Sequence, residues 1–448
     1  MHSFAVGQRF IRYYQDNGFE VLPRSSLLDP SVPMTFVMSA GLTQIESTVA
    51  QSEDHAGERF VLLQPCFRHF DREKVGQSPV HLSLFGMGGA FSFGQTSKED
   101  VLNAIWSFLT AELGFRGEQL RVTYFTGGQL NGHEFEEDVE TIRAWRKIGL
   151  SPSQIVGLGI DASFWKQGGG ISGKERFRKC GPTTELFFDR GSQWSCGPTC
   201  QPGCKCGRFI EIANVLFIHS QFDQATQSLN PLVTPFEEAV IGVERVAMAL
   251  QKKSSVFELE CLARLVRLVR SCHQAIDSPD SNKSIKSEQV IADHVRALLF
   301  LVADGAPPPD KGGRSGIMRK LIRATLTHQK TLGITQTTFI PDLVDAVLDL
   351  YRSQHLDLEG GRERLLSYFA RESERFERTL SAGYRWLDRL IQRGSGTISG
   401  QQALDLVKRR GMPLLLLETR LAQKGIQLNK QEYWEAYTRW RQAEVGTR

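Results

Sequence analysis

FVLLQPCFRHFDREKVGQSPVHLSLFGMGGAFSFG, residues 60–94, is the stretch that decides the fold. Its first part, residues 60–68, is rich in Val, Leu and Phe, and its last part, residues 80–93, interleaves Phe and Leu with small residues. Both patterns are typical of β-strands. The charged segment between them closes at Gly76 and predicts a loop, so the stretch predicts two strands with a polar connection.

Arg68 stands where the first of these strands is predicted to end. A guanidinium beside a polar loop can bind a phosphate through two parallel hydrogen bonds, and phosphoryl chemistry uses such groups to neutralise developing charge. The alternative is a surface arginine on a β-hairpin, which this stretch alone does not exclude. The assignment of Arg68 as a catalytic residue therefore depends on the rest of the chain.

Two further segments follow in a fixed order. CGPTTELFFDRG (180–191) precedes RFIEIANVLF (208–217), and IGVERVAMALQ (241–251) comes after both. With HLSLFGMGGAFSFG (81–94), they resemble the catalytic core of class II aminoacyl-tRNA synthetases of the alanyl type, and both order and spacing hold. The resemblance implies an α+β fold, in which an antiparallel sheet forms a catalytic domain over residues 1–252. It also implies an all-helical, tRNA-recognition domain over residues 253–448.

The length and the hydropathy of the chain agree with a multidomain protein. A chain of 448 residues is long for one hydrophobic core, so at least two domains are expected. No apolar run reaches the roughly 18 residues of a membrane-spanning helix, and the N-terminal segment lacks the apolar stretch of a signal peptide. We therefore predict no membrane association and a cytoplasmic location.

Charge is divided unevenly along the chain. Residues 1–250 hold 22 Lys and Arg against 27 Asp and Glu, a net charge of −5, whereas residues 251–448 hold 32 against 23, a net charge of +9. A basic half attracts phosphate backbones, which favours contact with nucleic acid. The alternative is a set of solvated helix faces, because the excess is modest for that length.

Half of the eight cysteines fall in one short segment of the sequence. In a cytoplasmic protein such a cluster favours zinc over disulfides, and Gly and Pro between the thiols let one loop surround a tetrahedral ion. Free thiols are the alternative. A zinc site with four thiolates would be structural, because no coordination position stays open for catalysis. The candidate ligands are Cys196, Cys200, Cys204 and Cys206.

Periodicity predicts the remaining elements. Helices are expected at residues 3–18, 98–113, 134–148, 257–275, 287–302 and 362–392, followed by a closing helical segment to about residue 444, and the resemblance implies a further helix at residues 240–251. Strands are expected at residues 19–22, 34–38, 120–125 and 208–219. Flexible segments are expected at residues 168–173, 278–287 and 394–400. Residues 38–44 resemble a Thr-Asn-Ala-Gly-Met segment of the family, with Ser39 in place of the Asn.

The resemblance assigns an ATP site. It implies that Arg68 stabilises charge on the α-phosphate and that Arg245 lies over the adenine and reaches the terminal phosphate. It further implies that Glu211 holds Mg²⁺ together with the phosphates. Without the resemblance, Glu211 could be half of a structural ion pair and Arg245 part of an ordinary surface pair on a helix. The other residues implied for the nucleotide site are Phe85, Met87 and Glu244.

The resemblance also assigns an amino-acid site, with departures from the family pattern. Trp165 would form an aromatic wall suited to a small side chain, although a core tryptophan is an equal alternative. Asn214 would contact the substrate. Glu238 replaces the Asp that holds the α-amino group and reaches about 1.5 Å further. Val240 replaces a Gly, and Ala213 replaces a Trp. A small amino acid is therefore expected, without its identity.

Basic residues of the second half resemble a family helix that faces the acceptor stem of tRNA, so the expected nucleic acid is tRNA and not DNA. The family reads a wobble pair there with an Asn and an Asp. Asp310 or Lys311 stands at the first position and Lys408 at the second, which reverses one charge. The candidate tRNA-binding residues are Arg314, Arg319, Lys320, Arg323 and Lys408.

Three functions remain open at this point. The first is an alanyl-type synthetase that charges a tRNA. The second is an amino-acid-activating enzyme with a non-tRNA acceptor, and the third is an inactive paralogue that binds tRNA or a protein partner. We expect no editing or C-terminal dimerisation domain, because the resemblance stops before both and the sequence has no His-x-x-x-His pair.

Overall fold

The structure is a computed structural model, in which two compact units are described. The first comprises Met1–Lys74 and Ser78–Ala263, and the second comprises Val75–Gln77 and Arg264–Arg448. None of the described helices is long and apolar enough to cross a membrane. The described residues are 1–29, 36–37, 57–94, 96–167, 177–273, 281–354, 357–393 and 398–445.

A mixed β-sheet forms the centre of the first unit. Its strand order is β1-β2-β3-β11-β10-β9-β4-β7, with β8 paired to β9. The pairings from β2 through β4 are antiparallel, whereas β1–β2 and β4–β7 are parallel. Strands β5 and β6 form a separate hairpin. The strands are β1 Glu20–Val21, β2 Arg59–Phe67, β3 Leu84–Phe93, β4 Leu120–Phe125, β5 Gly128–Leu130, β6 His133–Phe135, β7 Ile155–Leu158, β8 Phe164–Lys166, β9 Phe177–Asp189, β10 Phe209–Asp223 and β11 Ser228–Gly242.

The α+β class predicted from the sequence is confirmed by this sheet and the helices around it. The helices that begin in the first unit are α1 Ser3–Asp16, α2 Lys98–Ser107, α3 Val139–Ile148, α4 Ile160–Ser163, α5 Val243–Leu250 and α6 Glu260–Ser271. Helix α2 continues into a π-helical segment, Phe108–Glu112. Ser97 caps α2 by accepting a hydrogen bond from the Asp100 N–H, as its side chain and position predict.

Helix α3 begins later than the predicted residue 134. Asp138 caps it by accepting from the Thr141 N–H at 3.2 Å, and the preceding residues pair as strand β6. The polar composition of residues 134–148 predicts a helix that packs on the outside, and this prediction is wrong for one face. Trp145 is fully buried and donates from Nε1 to the Thr184 hydroxyl at 3.0 Å. Because most residues of the helix are polar, the sequence did not indicate that Trp145 anchors it to the sheet.

Strand β11 was not predicted. Val240 pairs with Asn214 on one side and with Gly89 on the other, so residues 240–242 belong to the sheet and α5 starts only at Val243. The predicted helix over 240–251 was therefore three residues too long at its start. A central strand obtains its stability from neighbours on both sides, and these are distant in sequence.

Close packing of α1 on the sheet depends on a glycine in β3. A Cβ at Gly88 would lie 2.7 Å from the Phe10 ring of α1, so a larger residue would push the helix off the sheet. On the sheet, a buried apolar cluster forms the core next to the functional site. Its members are Leu22, Phe60, Leu62, Phe91, Phe93, Leu216, Ile218, Phe236 and Val240.

The described part of the second unit is helical. Ser399 begins α11 with a capping box, in which its hydroxyl accepts from the Gln402 N–H at 3.2 Å and Gln402 accepts from the Ser399 N–H. The helices are α7 Ser281–Ala303, α8 Gly313–Thr331, α9 Phe339–Tyr351, α10 Arg362–Arg393, α11 Gly400–Lys408, α12 Leu414–Gln423 and α13 Lys430–Val445.

Several expectations fall outside the described residues. These are the strand over 34–38 apart from residues 36–37, the segment 38–44, the glycine-rich segment 168–173, and the greater part of the segment 394–400. The expected flexible segment 278–287 is described only from residue 281, and there it is helical, as the first turns of α7.

Candidate active site

A cavity of about 260 Å³ lies in the first unit beside strands β3, β10 and β11 and the start of α5. Eight of the residues predicted for the ATP and amino-acid sites line it together. Its lining residues are Arg68, Val80, His81, Leu82, Phe85, Met87, Glu211, Ile212, Ala213, Asn214, Val240, Ile241, Gly242, Glu244, Arg245 and Val256.

Arg68 is held at the rim of the cavity by local contacts. Its Nη2 atom lies 2.9 Å from the Asp71 carboxylate, and its guanidinium lies 4.2 Å from the centre of the Phe70 ring. Burial lowers the pKa of Arg68, opposed by the charge of Asp71. Its Nε atom is buried and makes no hydrogen bond among the described residues. One donor of the guanidinium is therefore positioned and has no acceptor.

Arg245 and Glu211 form an ion pair in the same cavity. Nη1 of Arg245 lies 2.8 Å from Oε2 of Glu211, which joins α5 to β10. Glu185, on β9, lies opposite Asn214 of β10 and is mostly buried. Burial and the charge of Glu211 raise the pKa of Glu185 to about 8. Two carboxyl groups and one guanidinium are thus concentrated at this end of the cavity.

Glu244 has a backbone partner that its sequence position did not suggest. Its Oε2 atom accepts from the Gly86 N–H at 2.9 Å, and the residue is 8% exposed. The contact fixes the first turn of α5 against β3. A Cβ at Gly86 would lie 3.3 Å from the Val243 side chain, so the small residue permits this approach. Glu244 therefore positions Arg245, its neighbour on α5.

His81 also lines the cavity, although none of the sequence motifs predicts a role for it. Its Nδ1 atom lies 2.6 Å from the Ser78 hydroxyl. Burial, together with the charges of Arg245 and Arg68, lowers its pKa to about 4, so the imidazole is neutral near pH 7. Glu185 was missed in the same way. His81 lies in the segment 81–94 and Glu185 in the segment 180–191. Neither residue has a sequence spacing that would identify it as part of a functional site.

The amino-acid end of the site adjoins the apolar cluster. The Oδ1 atom of Asn214 is buried and accepts no hydrogen bond among the described residues. Glu238 is 4% exposed, and burial raises its pKa to about 8. It stands two positions from Val240 on the same face of β11, since side chains alternate along a strand. Trp165 and Met87 pack on the cluster that includes Val240.

Glu238 and Trp165 do not line the cavity itself. In register, Glu238 lies between Leu216 of β10 and Phe91 of β3, two pairs along from Val240. The structure therefore brings both residues to the edge of the cavity and not to its wall.

A profile of the family described as tRNA synthetases class II (A) matches residues 5–445. The chain belongs to this family. The alanine–tRNA ligase of Thermoanaerobacter sp. is 30% identical over 435 residues, which cover 96% of this chain and 47% of that protein. The alanine–tRNA ligase of Acetivibrio thermocellus is 29% identical over 435 residues, with the same coverage.

This class II synthetase chain thus spans about half the length of the curated relatives it matches. Among solved structures, apo S. aureus histidyl-tRNA synthetase aligns with a TM-score of 0.33 and 11% sequence identity, over 60% of this chain and 77% of that one. That likeness is too distant to inform the site.

The cysteine cluster lies in the connection between β9 and β10. The sulfur atoms of Cys196, Cys200 and Cys204 lie within 4.8 Å of one another, and the sulfurs of Cys200 and Cys206 are 3.5 Å apart. A tetrahedral zinc ion with Zn–S bonds of about 2.3 Å separates its sulfurs by about 3.8 Å. Three of the four predicted thiols, those of Cys196, Cys200 and Cys204, are therefore close enough to share one ion, and Cys206 lies next to Cys200.

The candidate tRNA residues of the second unit do not have equal surroundings. Nε of Arg323 lies 2.5 Å from the carboxylate of Glu372, which is completely buried between helices. Lys408 lies over the rings of Tyr437 and Trp440. Arg323 and Lys408 thus have identified partners within the unit. Arg314, Arg319 and Lys320 belong to α8, the helix that also carries Arg323.

Proposed function

We propose that this chain activates an amino acid with ATP and transfers the acyl group to tRNA, as an alanyl-type class II synthetase. The observation that carries the proposal is a pair of buried polar atoms in one cavity. Nε of Arg68 is a donor without an acceptor, and Oδ1 of Asn214 is an acceptor without a donor, among the described residues. A phosphate would satisfy the first and an α-ammonium the second.

The reaction needs no nucleophilic side chain. The substrate carboxylate attacks the α-phosphorus, a carboxyl–phosphate bond forms, the α–β phosphoanhydride bond breaks and pyrophosphate leaves. Arg68 would stabilise the charge that builds on the α-phosphate, and Arg245 would bind the phosphates that leave. Positioning and fixed charges account for such a reaction, because little covalent chemistry is left to the protein.

Phe85 and Met87 would contact the adenine. Both line the cavity with Arg245, and an aromatic ring together with a guanidinium can enclose a base between them. Glu244 would not contact the nucleotide. By accepting a hydrogen bond from the Gly86 N–H, it would fix the first turn of α5 and so position Arg245.

Magnesium fits the acidic end of the site. Carboxylate oxygens are the ligands that Mg²⁺ prefers, and Glu211 is exposed enough to offer one, with Glu185 nearby. Bound there, the ion would neutralise phosphate charge. Arg245 holds the Glu211 carboxylate in position beforehand.

The amino-acid end supports a substrate with a small side chain. Glu238 would attract the α-ammonium, and Trp165 with Val240 would close the space around the side chain, because Val240 belongs to the apolar cluster and Trp165 packs against it. A positive charge close to Glu238 would restore its ionised form, which burial alone disfavours.

Transfer to tRNA is supported by the basic helix α8 and by family membership. An alternative acceptor is favoured by one observation, the ion pair of Arg323 with the buried Glu372, because this candidate cation already has a partner within the unit. The cysteine cluster would hold a structural zinc ion that fixes the connection between β9 and β10.

Exchange of labelled pyrophosphate into ATP tests the proposal. Each of the twenty amino acids is supplied in turn, and charging is then measured with tRNA added. Exchange that depends on an amino acid, followed by charged tRNA, supports the proposal. Exchange without charging of any tRNA supports the alternative acceptor, and absence of exchange with every amino acid contradicts both.

A further inference from the structure

Helix α13 of the second unit carries aromatic side chains at its surface. Trp434, Tyr437 and Trp440 are spaced by three residues, which makes successive side chains neighbours on a helix. Their ring centres are 5.4 Å and 5.8 Å apart. Trp434 is 51% exposed, and the other two are half-buried. We call these three residues the aromatic row.

A cation lies on the aromatic row. The ammonium of Lys408, at the end of α11, is 4.5 Å from the centre of the Tyr437 ring and 4.2 Å from that of Trp440. Close packing of α11 on α13 makes this contact possible. A Cβ at Gly400 would lie only 2.4 Å from the backbone carbon of Glu432, so a side chain there would separate the helices.

Further positive charge belongs to the same part of the chain. Residues 401–448 hold nine Lys and Arg against five Asp and Glu. The guanidinium of Arg410 lies 4.8 Å from the centre of the Trp386 ring, so a second cation is held by an aromatic side chain. These cation–π contacts hold the rings and the cations in position before any ligand binds.

This combination fits unpaired RNA better than other anionic partners. Bases of a single strand stack on exposed aromatic rings, while Lys and Arg neutralise the adjoining phosphates. A duplex hides the faces of its bases. An acidic peptide would use the cations but would leave the exposed Trp434 ring without a suitable partner.

We propose that the aromatic row, together with Lys408, binds unpaired nucleotides of RNA. Bases stack on Trp434 and on the neighbouring rings of the row, and Lys408 lies beside a phosphate. Lys408 stands at a position where, by resemblance, the family reads a base pair. In this chain the same position would support stacking of unpaired bases. The proposal is independent of amino-acid activation, because no residue of the cavity takes part in it.

Fluorescence anisotropy with the chain of residues 1–448 and a labelled oligouridylate of about twelve nucleotides tests the proposal. Trp434→Ala should weaken binding at least about fivefold, and Trp434→Phe should keep most of it, because a ring remains. Lys408→Ala should weaken binding and lower the salt dependence by about one phosphate contact. Thermal unfolding of each variant shows whether it is folded.

Trp194→Ala is the matched control. Trp194 is 38% exposed and stacks with Arg190 at 3.4 Å, but it belongs to the first unit, so its removal should leave binding unchanged. Failure of the wild-type chain to bind the oligonucleotide overturns the proposal, as does equal affinity of wild type and Trp434→Ala. Equal affinity for a duplex of the same length, or tighter binding of polyglutamate, overturns it too. Pyrophosphate exchange, measured separately, reports only on amino-acid activation.

Discussion

The guanidinium of Arg245 and the carboxylate of Glu211 lie 2.8 Å apart and join the first turn of α5 to strand β10. Arg68, 177 positions before Arg245 in the chain, lines the same cavity. Two cationic groups from distant segments thus face one space of about 260 Å³, and each is held by an acidic neighbour, Asp71 for Arg68 and Glu211 for Arg245.

Arg68→Ala and Arg245→Ala should each reduce amino-acid-dependent pyrophosphate exchange at least about a hundredfold, because each removes a charge that would stabilise the reacting phosphates. Arg116→Ala is the control, since Arg116 is exposed, does not line the cavity and contacts its near neighbours Glu118 and Gln119. Initial rates at saturating ATP measure the effect. Full exchange activity in both cavity variants would show that the site lies elsewhere.

Glu211→Gln should raise the Mg²⁺ concentration that gives half-maximal exchange by about tenfold, since it removes one charged oxygen ligand. The measurement is a Mg²⁺ titration of exchange at fixed ATP. Glu118→Gln, which changes an exposed carboxylate far from the cavity lining, should leave the titration as it is in the wild type. An unchanged midpoint in Glu211→Gln would remove Glu211 from the metal site.

Glu238→Gln should stabilise the ligand-free chain at alkaline pH and not at acidic pH. Burial raises the pKa of the Glu238 carboxyl from 4.5 to about 8, so the protonated form is favoured on folding. That contribution is complete below about pH 4.5 and is lost as the pH rises through about 8, at about 1.4 kcal/mol for each pKa unit between the folded and unfolded states.

Melting temperatures of wild type and Glu238→Gln at about pH 5 and about pH 8.5 measure this difference. The variant should gain stability relative to wild type only at the higher pH. It should also require more amino acid for half-maximal exchange, because the α-ammonium loses its counter-charge. A pH-independent difference in melting temperature would contradict the burial of an ionisable group at this position.

The cysteine cluster should contain about one zinc ion per chain after purification without chelators. Elemental analysis measures it. Cys200→Ser should lose the metal, because a hydroxyl is a poor replacement for a thiolate, whereas Cys272→Ser, outside the cluster, should retain it. A content below about half an equivalent in the wild type would exclude a permanent zinc site.

Arg323→Leu should destabilise the second unit by about 3 kcal/mol, because it leaves the completely buried carboxylate of Glu372 without its main counter-charge. Arg319→Leu, on the same helix, should change the free energy of unfolding by less than about 1 kcal/mol. Denaturant unfolding compares them. Equal effects would mean that the ion pair contributes nothing beyond loss of a surface cation.

Local patterns in the sequence predicted most of the elements near the site. The apolar residues of 60–68 and the pattern of 120–125 predicted β2 and β4, whereas α5 was expected from the resemblance of its Gly-x-Glu-Arg segment to the family. The same resemblance marked Arg68, Glu211 and Arg245, and they line one cavity. His81 and Glu185 were not found, because their importance lies in desolvation and in charges that come from other strands.

Most strands and helices could be predicted from the sequence, since they depend on neighbours a few positions away, although β11 and the first turns of α7 were missed. Long-range packing places Asn214 beside Val240 and Glu185, binds Glu244 to the Gly86 backbone and pairs Arg323 with Glu372. Register, burial and ion pairing join residues far apart in the chain, and local composition does not specify them.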